Sequence, residues 1–355
     1  MIPTFDKIHL KFKLNGINYS HEELKEVAYS LVKEGEPYER TVGDFLLDWL
    51  NDKDYLQVKS SGSTGTPKDI RIQKQAMVYS SIATGNYFKL QPGDSALHCL
   101  PTNYIAGKMM LIRAMILGLE IDLVEPTSLP IFDDYKHYDF CAMIPMQIQN
   151  SLNRLKNIRT IIVGGAPISK SLIDNLQPLK TKVYATYGMT ETVSHIAIKP
   201  LNIKSQSDHY KILGDIEISQ DDRNCLVVNA PKLSEHIIVT NDIVKLHSKT
   251  EFEFIGRYDN MINSGSIKLF PELVEAKLRD KIKERFFIAS EPDTLLGEKV
   301  VLVIEGKEDT TNASTFEDLD FYEIPKKVYA VEKFIEINEK IQRSRTLEEL
   351  KKQSQ

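Results

Sequence analysis

Between residues 96 and 185, short apolar runs alternate with longer segments whose apolar residues recur at helical spacing. Residues 96–100, 121–124, 140–144, 160–163 and 182–185 read as strands, and 107–117, 146–155 and 169–176 as helices. Strands separated by helices are joined most simply as parallel neighbours, because the connection must cross one face of the sheet and a helix covers that face. The order predicts an α/β fold: a large N-terminal domain with mostly parallel sheets flanked by helices. In such sheets ligands bind outside the carboxyl ends of the strands. Three loops follow strand ends, at residues 60–68, 164–167 and 187–192.

Toward the amino terminus, Ile8, Leu10, Phe12 and Leu14 alternate with polar residues before Asn15-Gly16, which predicts a hairpin. Ser20 and Glu23 form a capping-box pattern ahead of a helix, and Thr41 is expected to cap a second helix ending at Trp49. After Asp215 the pattern changes to short strands. A new unit begins near Gly256, where a helix over 271–282 and a strand over 299–304 predict a small mobile α+β C-terminal cap domain. At 355 residues the chain exceeds one average domain. The expected division is 1–256 and 257–355.

The formal charge of −5, with no run of five basic residues, offers no footprint for nucleic acid. The most apolar stretch, residues 109–124, carries Arg113, Glu120 and Asp122, so no membrane insertion is expected. Cys99, Cys141 and Cys225 stand apart with no metal-binding spacing, which predicts free thiols in a reducing, cytoplasmic setting. A homodimer is compatible with all of this.

The loop SSGSTGTPKDI, residues 60–70, gathers hydroxyls and glycines ahead of one cation, Lys68. It departs from the GxxxxGK[ST] phosphate loop, because Pro67 stands where that pattern needs glycine and Asp69 follows the lysine. Gly62 and Gly65 let backbone N–H groups approach an anion, and Ser61, Ser63, Thr64 and Thr66 add hydroxyl donors. In isolation the string reads as an anion clamp or as a linker.

The same loop resembles the signature loop of the adenylate-forming enzymes: acyl- and aryl-CoA ligases, luciferases and peptide-synthetase adenylation domains. Further motifs resemble that family's in the same order: Gly164-Gly165-Ala166-Pro167, YGMTET (187–192), TND (240–242), GRYDNMINSG (256–265), GEKV (297–300) and EKIQR (339–343). The resemblance implies ATP, Mg²⁺ and a carboxylic acid as reactants, with coenzyme A as cosubstrate. It implies phosphate contacts from Ser61, Gly62, Ser63, Thr64, Gly65 and Lys68, and an adenine site at Gly164, Gly165, Ala166, Tyr187, Gly188 and Met189. Thr190 would hold the α-phosphate, Glu191 the metal, and Asp242 with Arg257 the ribose. Lys340 would be the catalytic lysine and Asp259 the hinge. Tyr104, Lys108 and His195 would face the acyl group. Asn241 and Glu339 stand where the family usually has glycine.

Only 59 residues precede the loop, so the resemblance implies an amino-terminal subdomain shorter than the family's usual one. In this the chain resembles the short o-succinylbenzoate–CoA ligase branch of menaquinone synthesis. Another acid–CoA ligase, an enzyme that hands its acyl group to a carrier protein, and a degenerate nucleotide-binding protein are the competing expectations.

Overall fold

Strands Tyr138–Met143 and Ile158–Val163 are apolar at nearly every position because both of their faces are covered. Phe140, Ala142 and Ile162 join one core with the helices Lys74–Phe88 and Ile105–Leu117. Their neighbours Cys141, Met143, Ile161 and Val163 point the other way, into a second core closed by Ile148, Leu172 and Leu176. The computed structural model describes residues 2–59, 69–203, 209–337 and 340–353.

These strands lie in a twelve-stranded sheet. Its first half is parallel, in the order Lys13–Leu14, Glu120–Leu123, Ser95–His98, Tyr138–Met143, Ile158–Val163 and Lys182–Gly188. From Lys182–Gly188 onward every pairing is antiparallel, through His195–Pro200, Tyr210–Ile212, Glu251–Arg257, Ile238–Leu246, Cys225–Asn229 and Glu217–Gln220. The strand that ends in YGMTET therefore sits where the sheet changes character.

Three local expectations are corrected. The run ending at Leu14 makes no long hairpin: Asn15 and Gly16 do turn at positive φ, but only Leu14 and Ile17 bridge, and Lys13–Leu14 joins the large sheet beside Glu120. Thr41 lies inside a helix, Pro37–Leu50, whose start is set by proline at its first position; its hydroxyl donates to the Tyr38 carbonyl at 2.8 Å. Tyr55–Lys59, which precedes the hydroxyl-rich loop, pairs with Asp69–Gln73 in its own antiparallel hairpin and not in the large sheet. The capping box at Ser20 and Glu23 forms as expected.

Helix Lys74–Phe88 carries no sequence stripe because it is buried nearly all round, polar residues included: Lys74, Ser80, Ser81 and Thr84 are all inside. Residues beyond 260 build separate cores on the two faces of a second sheet. Helix Pro271–Leu278 covers one face through Val274 and Leu278, and helix Arg343–Gln353 covers the other through Leu347. Among the described residues no helix is long and apolar enough to cross a membrane.

His98, at the end of a parallel strand, is 2 % exposed; its Nε2 lies 2.9 Å from Thr102 Oγ1 and its Nδ1 has no partner among the described residues. Burial pulls its pKa down to about 4. Between the ordinary value near 6.5 and that lowered value, the unfolded chain binds more protons than the folded one, so stability falls as pH drops through this window. His98→Gln is expected to lose roughly 1 kcal/mol less than wild type between pH 7.5 and 5.5 in urea melts. Identical losses would mean that His98 does not titrate on unfolding.

Candidate active site

The strand Lys182–Gly188 delivers its last residues into a tightly constrained turn. A Cβ on Gly188 would lie 2.4 Å from the Ser194 carbonyl oxygen, so only glycine fits. Met189 is extended, Thr190–Thr192 form a 3₁₀ turn, and Val193 adopts φ +68°, ψ −51°. A β-branched residue at positive φ costs about 1–3 kcal/mol and persists only where its surroundings impose it. Here they do. Val193 is buried in the main core, Ser194 N donates to the Thr192 carbonyl at 2.7 Å, and Thr192 Oγ1 accepts from Met189 N at 2.9 Å. The turn leaves Thr190 half-buried and Glu191 exposed. Glu191 makes no hydrogen bond or ion pair among the described residues, and a free carboxylate of this kind suits a hydrated Mg²⁺.

Tyr187, just before the turn, packs edge-on against Phe252 with ring centroids 5.1 Å apart. Its hydroxyl donates to Asp242 Oδ2 at 2.6 Å. Burial, then the Asp242 charge, push the phenol well above its ordinary pKa, so it remains a donor. Asp242 Oδ1 accepts from Arg257 Nη1 at 3.0 Å, the two residues facing each other across adjacent strands. Arg257 also reaches Asp259, at 3.3 Å. Sequence brought these four side chains to one list, and the fold brings them to one network.

Asn241, which stands where related motifs have glycine, is part of the same network. Its amide donates to both Asp259 oxygens, at 3.2 and 3.1 Å, and its carbonyl oxygen accepts from Arg223 Nη1 at 2.8 Å. Arg223 also donates to the Thr240 carbonyl and lies over the Tyr258 ring, 5.0 Å from its centroid. Sequence reading missed Arg223, because nothing near residue 223 marks it.

Gly164, Gly165, Ala166 and Pro167 line a cavity of about 190 Å³ with Thr186, Lys199 and Tyr210. A Cβ on Gly164 would fall 2.4 Å from Thr186 Oγ1, and Gly165 takes φ +84°, so the first glycine is required by a neighbouring side chain and the second by its backbone. Tyr210, not Tyr187, is the aromatic side chain in this lining.

A second cavity, of about 260 Å³, is lined by His195 with Ser80, Ala83, Leu213 and Lys232. Behind His195 stands Arg113, 2 % exposed. Its Nη2 donates to Ser194 Oγ at 2.9 Å and lies 3.3 Å from His195 Nδ1, while His195 Nε2 lies 3.3 Å from Thr84 Oγ1. Among the described residues no carboxylate pairs with Arg113, and its Nε has no partner. Burial lowers the Arg113 pKa only to about 9, which leaves it charged at neutral pH. Burial, and then the adjacent Arg113, hold His195 well below its usual pKa and therefore neutral. A buried guanidinium without a carboxylate partner is costly in a resting protein; the cavity's own lysine, Lys232, is paired with Asp215 of the same lining at 2.6 Å.

Tyr104 and Lys108 are not in that lining. Tyr104 is half exposed at the start of the helix, and Lys108 Nζ lies over the Phe45 ring, 5.2 Å from its centroid. Five residues along a helix turn the side chain by about 140°, so Lys108 and Arg113 face different neighbours. The expected acyl-pocket lysine thus packs against the amino-terminal helices, and Arg113 is the cation beside His195. Its signal was visible as a single arginine inside the apolar run IAGKMMLIRAMIL, which was used only against a membrane span.

Ser61, Gly62, Ser63, Thr64, Gly65 and Lys68 lie outside the described residues. Lys340 opens a two-residue strand paired with Glu336–Ile337, and its side chain lies outside what is described. The next helix is anchored by Arg343, whose Nη1 sits 2.7 Å from the buried Glu275 carboxylate.

The sequence profile of AMP-binding enzymes matches residues 55–218. The solved structure of an acyl-CoA synthetase (AMP-forming)/AMP-acid ligase II-like protein from Dyadobacter fermentans is 35% identical, covers 92% of this chain and 98% of its own, and has a TM-score of 0.62. The chain belongs to the AMP-binding enzyme family. Among curated members of the family, 2-succinylbenzoate–CoA ligase of Listeria monocytogenes is 25% identical over 94% of this chain and 76% of its own length. An o-succinylbenzoate coenzyme A synthetase from Bacillus subtilis, solved with ATP and magnesium ion, shares the fold at 19% identity and TM-score 0.71, covering 82% of this chain and 69% of its own.

Proposed function

We propose that this chain is an AMP-forming acid–CoA ligase whose acid carries a second carboxylate, and that o-succinylbenzoate is that acid. The observation that carries the reading is Arg113: a buried guanidinium with no carboxylate partner among the described residues, one side chain removed from a cavity. The curated relatives named 2-succinylbenzoate–CoA ligase support the same choice.

In the first step the acid's free carboxylate attacks the α-phosphorus of MgATP, the bond to the bridging oxygen breaks, and pyrophosphate leaves with the electron pair. Asp242 receives the ribose hydroxyls, held in place for that task by Tyr187 and Arg257. Thr190 donates to the α-phosphate and Glu191 holds the magnesium of MgATP. The glycine loop at 164–166 admits the adenine into the 190 Å³ cavity. Lys340 neutralises charge on the α-phosphate oxygens, a contribution that is mainly electrostatic. In the second step the CoA sulfur attacks the acyl carbon and AMP departs with the electrons of the broken C–O bond.

Residues 257–355 move as a cap relative to 1–256, with Asp259 as the hinge. Support comes from the separate cores beyond residue 260 and from the way Asn241 and Arg257 grip the Asp259 carboxylate. The experiment that tests the reading is acid-dependent release of pyrophosphate from ATP, followed by thioester formation when CoA is added.

A further inference from the structure

On the far side of the antiparallel half of the sheet, His209 and His247, each next to a strand end, meet Glu253 of the strand between them. Tyr210 faces Phe252, so the next pair along brings His209 opposite Glu253. On the other side of the same strand, His247 N donates to the Glu251 carbonyl at 2.9 Å, which sets His247 level with Glu251. Side chains alternate along a strand. His209, Glu253 and His247 therefore share the face opposite Phe252 and Tyr210, which pack inward with Tyr187. The group is thus separate from the nucleotide and acid cavities.

We propose that His209, His247 and Glu253 form a site for a divalent transition metal, with Zn²⁺ as the best match. The two imidazole rings lie parallel with centroids 3.6 Å apart, and His247 Nε2 lies 3.3 Å from Glu253 Oε2. One donor atom from each residue fits within a span of 4.8 Å. Zinc bound at about 2.1 Å in a tetrahedron places its ligand atoms about 3.4 Å apart. The His247–Glu253 edge already has that length. The His209 donor nitrogen lies within the same 4.8 Å span, and water would fill the fourth position. Two imidazole nitrogens and one carboxylate oxygen are a donor set that suits zinc better than magnesium or calcium, which prefer oxygen alone. Lys245 faces Glu253 in the register, yet the carboxylate bonds to His247 and makes no ion pair with that lysine among the described contacts. The side chains of His247 and Glu253 are 25 % and 46 % exposed, so an ion can reach them.

The test is isothermal titration of the chelator-treated full chain with ZnCl₂, without ATP, so that no nucleotide-bound metal contributes. The expected result is one ion per chain with a micromolar dissociation constant. His209→Ala and His247→Ala should each weaken binding by about tenfold or more, and Glu253→Gln should weaken it less. These positions sit on the surface of the sheet, so the variants should keep the wild-type circular dichroism and melting temperature without metal. Absence of saturable binding up to millimolar zinc would overturn the proposal. So would binding that survives unchanged in the His209→Ala, His247→Ala double variant.

Discussion

Arg113→Met is expected to give a folded protein that has lost its preference for an acid with a second carboxylate. The guanidinium is buried beside His195 with no carboxylate partner among the described residues, and its Nε has none there either. Methionine fills a similar volume and removes the cost of burying an unpaired charge, so the variant should melt at or above the wild-type temperature. A structural arginine would give the opposite sign, because Ser194 and His195 would lose a donor with nothing gained. The substrate effect runs the other way from the stability effect. An acid whose second carboxylate is bound through His195 would lose the charged support that Arg113 gives that ring, worth about 1.5–3 kcal/mol, or roughly 10- to 10²-fold in kcat/KM. Monocarboxylic acids should be affected far less. Thermal melts together with kcat/KM for o-succinylbenzoate and benzoate decide the matter. A destabilised variant with unchanged acid preference would remove Arg113 from the site.

Lys340→Ala is expected to slow adenylate formation by about 10²- to 10³-fold, the cost typical of losing one preorganised donor to developing oxyanion charge. ATP binding should persist, since Asp242 is held for the ribose by Tyr187 and Arg257. Thioester formation from supplied acyl-adenylate should also persist, because Lys340 acts before that step. Measuring the two half-reactions separately distinguishes this from general loss of fold. A variant that forms adenylate at the wild-type rate would withdraw the role from Lys340. Asp259→Pro supplies the complementary arm: a hinge variant should impair thioester formation more than adenylation, and equal losses would argue against movement about residue 259.

The strand and helix order between residues 95 and 188 was legible because the parallel strands are buried on both faces and so read as continuous apolar runs. The helix Lys74–Phe88 was not legible. It is buried nearly all round, and several of its polar side chains find partners inside: Lys74 Nζ donates to the Asn51 carbonyl at 2.9 Å, Ser81 to the Met77 carbonyl and Thr84 to the Ser80 carbonyl. The amino-terminal alternation misled because Phe12 and Leu14 are buried while Leu10 is almost fully exposed, a pattern made by a turn and not by a strand. In the site, Asp242, Arg257, Tyr187 and Asp259 were found through motifs, and the fold ties them together. Arg223 and Arg113 were not found, since each acts through contacts distant in sequence, with Thr240, Asn241 and Tyr258 in one case and Ser194 and His195 in the other. Lys108 was named for its place just after Tyr104, and sequence proximity carries no information about which side of a helix faces a cavity.

The central claim is that this chain joins a dicarboxylic aryl acid to CoA through an acyl-adenylate. The most direct measurement is pyrophosphate release from MgATP with o-succinylbenzoate, benzoate, succinate and a medium-chain fatty acid, repeated after CoA is added, with the thioester identified by mass. The account predicts turnover with o-succinylbenzoate more than about a hundredfold above that with the monocarboxylates, and conversion to o-succinylbenzoyl-CoA with one AMP per thioester. Equal turnover of benzoate or the fatty acid, or pyrophosphate release with no thioester once CoA is present, would contradict it.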